Sequence, residues 1–268
     1  MNDLQKCLLH MLEDLKDLCE KEDIEFFLVE GNALGAIRHE GFIPWDDDLD
    51  IGMTRENYNK FKSRFFEDKE FQKKYFYQDC ETDSNYSIPF PKLRKNDSLY
   101  IEKGTQNLDI HQGIYIDIFV LDYLSDKSII RQLQYLACQL IEAIIRKNKP
   151  KNFIKRFIIW FIFKVNIKEK ALNLFKYIMQ NFGKNTNNYY SYFMCGSIYG
   201  LKGDMLYPLR KIKYENIECF VFNKVESYLE VRYGDYLKLP SLEERSNNQH
   251  HIYYEIELQE DKTYEYSE

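Results

Sequence analysis

The spacing of apolar residues predicts a front half in which helices and strands are mixed. Apolar positions from Leu4 to Cys19 recur at helical spacing, which predicts a first helix to about Lys21. Apolar runs and alternation predict strands in the segments that follow, and Thr54 is a suitable N-cap for a later helix. After the first helix, the predicted elements are a strand over 24–30, a helix over 33–39, a strand over 48–53, a helix over 54–66, and strands over 75–81, 88–95, 98–102 and 113–122.

The pattern changes after Asp126, where segments rich in Ile, Leu and Phe predict helices to about residue 183. Strands over 210–222 and a helix over 223–234 follow. This order predicts an α+β fold in three parts. They are a core over 1–125, a helical subdomain over 126–200, and a closing α+β segment over 201–268 that packs back on the core.

Composition narrows the classes of function. The 268 residues include 37 basic and 43 acidic ones, a net charge of -6, so we expect no nucleic-acid partner. The six cysteines contain no CxxC pair, which favours isolated thiols in a reducing compartment over a structural zinc site. The sequence shows neither a signal peptide nor an apolar run near the ~20 residues of a membrane span, so we expect a cytoplasmic protein.

The segment WDDDLDIGM, residues 45–53, places two carboxylates on one strand face. Side chains alternate between faces, so Asp48 and Asp50 share one face while the apolar residues beside them point into a core. Two carboxylates ~6–7 Å apart at their Cβ atoms repel each other unless a cation lies between them. For Asp46 and Asp47, a role in shaping the preceding turn is an equal alternative.

A third carboxylate lies in the apolar strand GIYIDIFVLD. Asp117 is on the face opposite a row of apolar side chains, and a lone carboxylate in such a strand needs a partner. We expect it to share a site with Asp48 and Asp50; pairing with an arginine is the alternative. His111 has the same parity as Asp117 if the strand runs without a bulge, and we expect it to contribute to substrate binding.

Ligands that are all oxygen favour Mg²⁺, or Mn²⁺, over Zn²⁺, because Mg²⁺ typically uses a few carboxylates together with substrate phosphates. Such ions can polarise a phosphoryl group. Gly31 and Asn32 lie between a predicted strand and a predicted helix, where backbone N–H groups can receive a phosphate. An ordinary turn is the alternative for these two residues.

Four long motifs follow one another in the chain: EGNALGAIRHEGFIPWDDDLDIGM, PFPKLRKNDSLYIE, HQGIYIDIFVLD and YGDYLKLPSLEERSNNQHH. In this order they resemble the LicD family, which includes bacterial phosphocholine transferases and is related to fukutin. The resemblance covers both ends of the chain and leaves only residues from about 125 to 210 without a motif.

The resemblance implies a nucleotidyltransferase fold of the DNA polymerase β superfamily, with a mixed sheet flanked by helices and an inserted helical subdomain. It implies a CDP-linked donor such as CDP-choline and transfer of the phospho-alcohol to a hydroxyl of a cell-surface glycan or its lipid-linked precursor, with release of CMP. It also implies that Asp48, Asp50 and Asp117 are the catalytic, metal-binding triad, and that Gly31-Asn32 replaces the Gly-Ser of the superfamily.

Other residues of these motifs are candidates for donor binding. Lys92 and Arg94 share a strand face that suits a diphosphate, and a solvated strand edge is the less favoured alternative. For the other candidates, the sequence leaves a structural alternative open. The alternative is a favourable charge at a helix C-terminus for Arg38 and His39, and a core position for Trp45. It is a flexible surface tail for Arg245, His250 and His251.

Residues 149–170 combine seven Lys or Arg with one Glu in a chain that is acidic as a whole. Ten of the thirteen residues from Phe153 to Val165 are apolar, but the run is too short to span a bilayer. An interfacial helix at the inner face of the plasma membrane and a core helix with a basic solvent edge are equal alternatives.

The leading prediction of function is transfer of a phospho-alcohol, with phosphocholine first. Ribitol phosphate, glycerol phosphate and aminoethylphosphonate are alternative groups. Nucleotidyl transfer to a protein or RNA is a second enzymatic prediction, and it would release pyrophosphate instead of CMP. A binding protein that retains the fold without catalysis is the prediction from another class, and an intact carboxylate triad argues against it.

Overall fold

The computed structural model describes residues 1–88, 90–145, 152–183, 189–194, 197–246 and 250–257. The helices are α1 (Asp3–Lys21), α2 (Glu30–His39), α3 (Arg55–Glu67), α4 (Lys69–Lys74), α5 (Ser128–Ile145), α6 (Phe153–Lys164), α7 (Lys168–Asn181), α8 (Gly203–Leu206), α9 (Val225–Tyr233) and α10 (Leu242–Ser246). The strands are β1 (Phe27–Leu28), β2 (Asp50–Thr54), β3 (Tyr75–Gln78), β4 (Lys92–Lys95), β5 (Leu99–Glu102), β6 (Tyr115–Tyr123), β7 (Tyr189–Met194), β8 (Ser197–Lys202), β9 (Arg210–Tyr214), β10 (Ile217–Val221) and β11 (His251–Glu255). The predicted mixture of helices with a mixed sheet is confirmed.

Helix α1 begins with a capping box and buries one side. The side chain of Asn2 accepts the N–H of Gln5, and the Gln5 side chain accepts the N–H of Asn2. The leucines at helical spacing pack into the main core. Gln5 Nε2 also donates to the carbonyls of Ile43 at 3.1 Å and Asp46 at 3.0 Å. Helix α1 therefore supports the backbone of residues 46–50, which we call the aspartate segment.

A seven-stranded mixed sheet lies at the centre of the protein. Its order is β1-β2-β6-β4-β3, with β7 pairing with the far end of β6 and β8 pairing with β7. Strands β2 and β6 are parallel and the other neighbours are antiparallel. Ile51, Met53, Ile116 and Ile118 are fully buried on one face. The alternating positions of the same strands therefore point to the other face.

Two elements near the aspartate segment differ from their predicted bounds. Strand β2 begins at Asp50, whereas alternation placed its start at Asp48. Helix α2 begins at Glu30, three residues earlier than predicted, so Gly31 and Asn32 lie in its first turn. The backbone of Glu30 has a φ of 45°. This left-handed conformation is uncommon for a residue with a side chain and marks a special position in the fold.

Helices α5, α6 and α7 form a unit with a small apolar core of its own. Leu140 and Ile144 of α5 pack with Ile159 and Ile162 of α6 and with Ala171 of α7. These helices confirm the helical pattern predicted after residue 126, and residues 146–151 lie outside the described part. Across the described residues, no helix has both the length and the hydrophobicity needed to cross a membrane.

The last part of the chain packs against β1 and α2. The ring of Phe222 lies 5.1 Å from that of Phe27 and 4.8 Å from that of Tyr228. Tyr214 of β9 is buried, and its ring lies 5.1 Å from that of Phe42. Residues of β9, β10 and α9 thus belong to the same hydrophobic core as the front half. A second small sheet pairs β11 with β5 and brings the C-terminal region beside the central sheet.

Candidate active site

One face of the central sheet carries a row of polar side chains across four neighbouring strands. The strand register places Asp50 of β2 beside Asp117 of β6. Lys92 of β4 pairs with Asp117 on one side and with Gln78 of β3 on the other. Because directly paired residues point to the same face, these four buried side chains form a continuous row. Two of the carboxylates predicted to share a site are therefore neighbours.

Asn32 holds the start of strand β2 in place. The N–H of Asp50 donates to Asn32 Oδ1 at 2.6 Å, and Asn32 Nδ2 donates to the Tyr214 hydroxyl at 2.9 Å. The Asn32 side chain is buried, and both of its polar atoms have partners inside the protein. It therefore positions Asp50 and does not present a free amide to a ligand.

A carboxylate lies directly against Gly31, so a side chain at this position would require Asp46 to move. A Cβ atom at Gly31 would be 2.8 Å from Asp46 Oδ2, closer than real Cβ contacts allow. Burial and the charges of Asp48 and Asp47 raise the pKa of Asp46 to about 8. At neutral pH Asp46 thus keeps a proton, which it can donate in its hydrogen bond with Asp48. Asp46 belongs to the carboxylate cluster, beyond any role in the preceding turn.

The three predicted metal ligands share a buried, negatively charged setting. Burial and the charges of Asp48 and Asp117 raise the pKa of Asp50 well above its usual range. Burial also raises the pKa of Asp48, although His250 opposes this shift. Burial raises the pKa of Asp117 to about 6, with Lys92 opposing the shift in part. Burial is the largest cause of all three shifts, and neighbouring carboxylates add to it.

Asp47 binds the C-terminal region to the aspartate segment. Its carboxylate accepts the N–H groups of His250 at 2.8 Å and His251 at 3.3 Å, and it also contacts Nδ1 of both rings. Although burial opposes them, these bonds hold the pKa of Asp47 well below its usual range. The bond to Asp47 raises the pKa of His250 to about 9. His250 Nδ1 also lies 3.5 Å from Asp48 Oδ2, so a flexible surface tail is wrong for these two histidines.

Lys92 supplies the positive charge closest to the predicted ligands. Lys92 and Arg94 are each only 1% exposed, so the solvated strand edge is wrong for both. Lys92 Nζ lies 3.0 Å from Asp117 Oδ1 and 3.2 Å from Glu102 Oε1. It also lies 3.2 Å from the centroid of the Tyr115 ring, which screens it from water. The ammonium group is thus held between two carboxylates and an aromatic face.

Arg94 supports this arrangement from two residues further along the same strand. It donates to Gln78 Oε1 at 2.6 Å, to the Gly113 carbonyl at 2.8 Å and to Glu102 Oε2 at 3.1 Å. Although burial opposes them, Lys92 and Arg94 lower the pKa of Glu102. Arg94 therefore positions Glu102, and through it Lys92, and its donors are directed at groups inside the protein.

The ligand types of the cluster suit a hard divalent cation. Asp117 Oδ1 is buried and accepts no hydrogen bond, although the ion pair with Lys92 lies beside it. Carboxylate oxygens of this kind are the ligands that Mg²⁺ and Mn²⁺ prefer. Within the described ranges, however, no three His, Cys, Asp or Glu side chains are grouped closely enough to hold an ion as they now stand. The metal triad of Asp48, Asp50 and Asp117 therefore stays a prediction.

Four predicted donor-binding residues form a second group beside the aspartate segment. Arg38 Nε donates to His39 Nε2 at 2.9 Å, and the His39 ring lies 5.9 Å from that of Trp45, edge to face. The Arg245 guanidinium lies 4.5 Å from the centroid of the half-buried Trp45 ring. Burial and the charge of Arg245 lower the pKa of Arg38. We call Arg38, His39, Trp45 and Arg245 the rim group.

His111 lies outside the carboxylate cluster. Strand β6 begins at Tyr115, so the parity that connected His111 with Asp117 does not extend to it. The His111 ring stacks on Phe76 with centroids 4.8 Å apart. Burial and the charge of Arg94 lower the pKa of His111 to about 4, so the ring is neutral. The His111 ring is part of the local packing, and its role in substrate binding stays a prediction.

Comparison with known proteins concerns the same part of the chain. Residues 23–120 match the family model described as LicD/FKTN/FKRP, nucleotidyltransferase domain. The chain is similar to the LicD family. The matched LicD domain contains the aspartate segment, Asp117, Lys92 and Arg94, and so includes the whole polar row of the sheet.

Individual relatives agree with this assignment. Over 94% of this chain and 96% of the relative, the sequence is 26% identical to the lipopolysaccharide cholinephosphotransferase LicD of Haemophilus influenzae. A 50-residue segment is 44% identical to uncharacterised proteins of Rickettsia prowazekii and Rickettsia typhi. That segment is 19% of this chain, so only the Haemophilus relative bears on the full length.

The LicD domain also contains two buried or half-buried carboxylates that the motifs did not single out. One is Glu102, described above. The other is Glu30, which accepts hydrogen bonds from Tyr228 at 2.8 Å, Arg232 at 2.8 Å and Tyr233 at 3.2 Å. All three donors lie on α9, so Glu30 connects that helix to the first turn of α2. In the sequence, Glu30 and Glu102 each end an apolar run, and this position was the available signal that they are buried.

Proposed function

We propose that this protein transfers phosphocholine, or a related phospho-alcohol, from a CDP-linked donor to a hydroxyl of a cell-surface glycan or its lipid-linked precursor, releasing CMP. The observation that carries the proposal is the row of Asp50, Asp117 and Lys92 on one sheet face, with Asp48 just before it. The Haemophilus relative is named a lipopolysaccharide cholinephosphotransferase, which supports phosphocholine as the group and a glycan as the acceptor.

The donor diphosphate needs positive charge at this face. Like charges in a poorly solvated site repel strongly, so the carboxylates alone would exclude a diphosphate. Mg²⁺ or Mn²⁺ held by Asp48, Asp50 and Asp117 would neutralise that charge and polarise the phosphoryl group. Lys92 adds a fixed positive charge that does not depend on a cofactor, because its ammonium group is held 3.0 Å from Asp117.

The transfer requires a route for the proton of the acceptor hydroxyl. In the transfer, the acceptor oxygen bonds to the phosphorus that carries the alcohol, and the bond from this phosphorus to the bridging oxygen breaks as CMP leaves. The hydroxyl proton must go to a base. Asp117 is one candidate, because it lies beside Asp50 on this sheet face and a positioned carboxylate can accept a proton. A metal ion held by Asp117 would be the other route, since it would lower the pKa of the hydroxyl itself.

The rim group suits the remainder of the donor. The guanidinium of Arg245 already lies on the face of Trp45, so this indole can accept a cation or a planar group. The ammonium group of choline, or the cytosine base, has the chemistry to take the place of Arg245 on this indole. Arg38 lies beside it and can contribute charge toward a phosphate.

The decisive experiment measures CMP release from CDP-choline with Mg²⁺ and a hydroxyl-bearing glycan acceptor. Asp48→Asn and Asp117→Asn should keep the fold, as judged by circular dichroism, and reduce CMP release by about 10²–10³-fold or more. Asp17→Asn, on the exposed side of α1, is the matched control and should behave like the wild type. Turnover like that of the wild type in either active-site variant would contradict the proposal.

A thermal-shift screen identifies the transferred group. The compounds are CDP-choline, CDP-ribitol, CDP-glycerol and CMP-aminoethylphosphonate, each with and without Mg²⁺. Stabilisation by CDP-choline that requires Mg²⁺ supports the proposal, because a ligand that binds the native state raises its stability. Release of pyrophosphate in place of CMP would indicate nucleotidyl transfer. If none of the compounds binds, a role without catalysis is favoured.

A further inference from the structure

Helix α6 is apolar on two opposite sides, and the core accounts for only one of them. The helix has 12 residues and is therefore about 18 Å long. Ile159 and Ile162 are buried in the small core with α5 and α7. On the other side, Phe153, Phe157 and Trp160 are exposed by 72%, 55% and 51%. The prediction of an ordinary core helix is therefore wrong for the outer side of α6.

The exposed aromatic residues form one surface. Phe153, Phe157, Trp160 and Phe161 recur at spacings of four, seven and eight residues, which places them along one side of a helix. The rings of Phe157 and Trp160 lie 5.7 Å apart and cover one another in part. We call these four residues the α6 face. A contiguous exposed patch of this kind marks an interaction site, whereas single exposed apolar residues do not.

The charges around the α6 face are mostly positive. Arg156 and Lys164 are exposed on the same helix, and Lys164 Nζ lies 4.5 Å from the centroid of the Trp160 ring. Residues 149–170 contain seven Lys or Arg and one Glu, whereas the chain as a whole has a net charge of -6. An apolar patch with basic residues beside it is complementary to a surface that is negatively charged outside and apolar beneath.

We infer that the α6 face docks on an anionic lipid bilayer. The aromatic rings would lie at the boundary of the acyl chains, and Arg156 and Lys164 would extend to the headgroups. The helix lies in the plane of the interface, because 12 residues fall well short of the ~20 needed to span the membrane. The inference stands on the surface of α6 and does not require the proposed transfer reaction.

Vesicle flotation tests the inference with the full-length protein. At low salt the wild type should float with vesicles of phosphatidylglycerol and phosphatidylcholine, and salt should weaken the binding. Phe157→Ser/Trp160→Ser should lower the partition coefficient about tenfold or more, because two exposed aromatic side chains no longer enter the interface. Leu242→Ser removes an equally exposed apolar side chain on α10 and should leave binding unchanged. Absence of wild-type binding, or equal binding of the double variant, would overturn the inference.

A charge variant separates the two contributions to binding. Arg156→Gln/Lys164→Gln should weaken binding to anionic vesicles several-fold and make it less sensitive to salt. Lys69→Gln/Lys73→Gln, on the exposed helix α4, removes the same charge elsewhere and is the matched control. If both pairs of substitutions weaken binding equally, the effect comes from net charge and the assignment to α6 fails.

Tryptophan fluorescence locates the contact. The chain has two tryptophans, so Trp45→Phe leaves Trp160 as the only one. Vesicles with brominated acyl chains should quench Trp160 and shift its emission to the blue. An unchanged spectrum in the presence of bound vesicles would exclude the α6 face as the contact.

Light scattering tests the competing occupant, a second copy of the chain. A wild-type dimer that Phe157→Ser/Trp160→Ser converts to monomer would make this face a protein interface and overturn the membrane assignment. A monomer in both cases supports it. CMP release from a soluble acceptor is measured in parallel. Normal release without vesicle binding rejects only the docking surface, whereas vesicle binding without release rejects only the proposed function.

Discussion

The contact between Asp47 and the two C-terminal histidines predicts a specific loss when Asp47 is changed to Asn. The carboxylate is buried and contacts two N–H groups and two ring nitrogens of His250 and His251. Asparagine has the same shape, but one of its two polar atoms is an NH₂ group. That group would face donors, so at least one favourable bond becomes a repulsive contact.

The magnitude follows from the pKa of His250 and from its exposure. A rise from 6.5 to about 9 corresponds to about 3 kcal/mol if taken at full value. The side chain is 54% exposed, so solvent screening reduces this to about 1 kcal/mol. The better-buried His251 ring and the backbone N–H groups add about 1–2 kcal/mol. We therefore expect Asp47→Asn to lower the free energy of unfolding by about 2–3 kcal/mol.

The pH dependence has a definite sign. The pKa of His250 is raised, so its contribution to stability is complete below pH 6.5 and is lost as the pH rises through about 9. The pKa of Asp47 is lowered, so its contribution is present above the usual carboxyl range and is lost in acid. The difference between wild type and Asp47→Asn should therefore be largest near pH 5–6.5 and smaller at pH 9.5 by about 1 kcal/mol.

Urea denaturation at pH 6 and pH 9.5 measures the difference in unfolding free energy directly. Asp109→Asn changes an exposed aspartate and serves as the control. Nuclear magnetic resonance of the five histidines, with His250→Gln for assignment, gives the pKa of His250 independently. A His250 titration midpoint near 6.5 in the wild type, or a difference in unfolding free energy between wild type and Asp47→Asn that is equal at both pH values, would refute the reasoning.

Two further predictions concern residues that position the site. Asn32→Ala leaves the N–H of Asp50 and the hydroxyl of Tyr214 without their partners, so the free energy of unfolding should fall by about 2–4 kcal/mol and kcat should fall more than KM rises. Denaturation measures the first effect and steady-state kinetics the second. An unchanged kcat would show that Asn32 does not position the site. Glu30→Gln keeps an acceptor but removes the charge that Arg232 faces, so the free energy of unfolding should fall by about 1–3 kcal/mol. A double-mutant cycle with Arg232→Met tests whether this pair accounts for the effect. In that cycle, the losses in unfolding free energy of the two single variants should not add.

The sequence identified most of the residues of the site because strand alternation and motif order are local properties. Alternation correctly separated Asp50 and Asp117 from the apolar residues around them. It failed for His111, because parity carries no information beyond the end of a strand and β6 begins only at Tyr115. Asp48 also lies before its strand, so its nearness to the cluster depends on the path of the aspartate segment.

The buried basic residues illustrate what alternation cannot show. Lys92 and Arg94 have the same spacing whether they lie on a solvated strand edge or in the interior. The tertiary structure decides, because β4 is covered on both sides by neighbouring strands and Glu102 of β5 supplies the compensating charge. The same limitation applies to α6, where the sequence is apolar on two sides and only packing shows which side is left exposed.

By itself, the sequence indicated the candidate residues of the site and most of the elements that hold them, since helical and strand periodicity depend only on neighbours along the chain. Only the tertiary structure decided which of these residues meet. Asp47 and His250 are 203 positions apart, and Asp50 and Asp117 meet through the register of two parallel strands. Contacts of this kind follow from how whole elements pack and pair, and that packing is set by the burial of many side chains at once rather than by any short stretch of sequence.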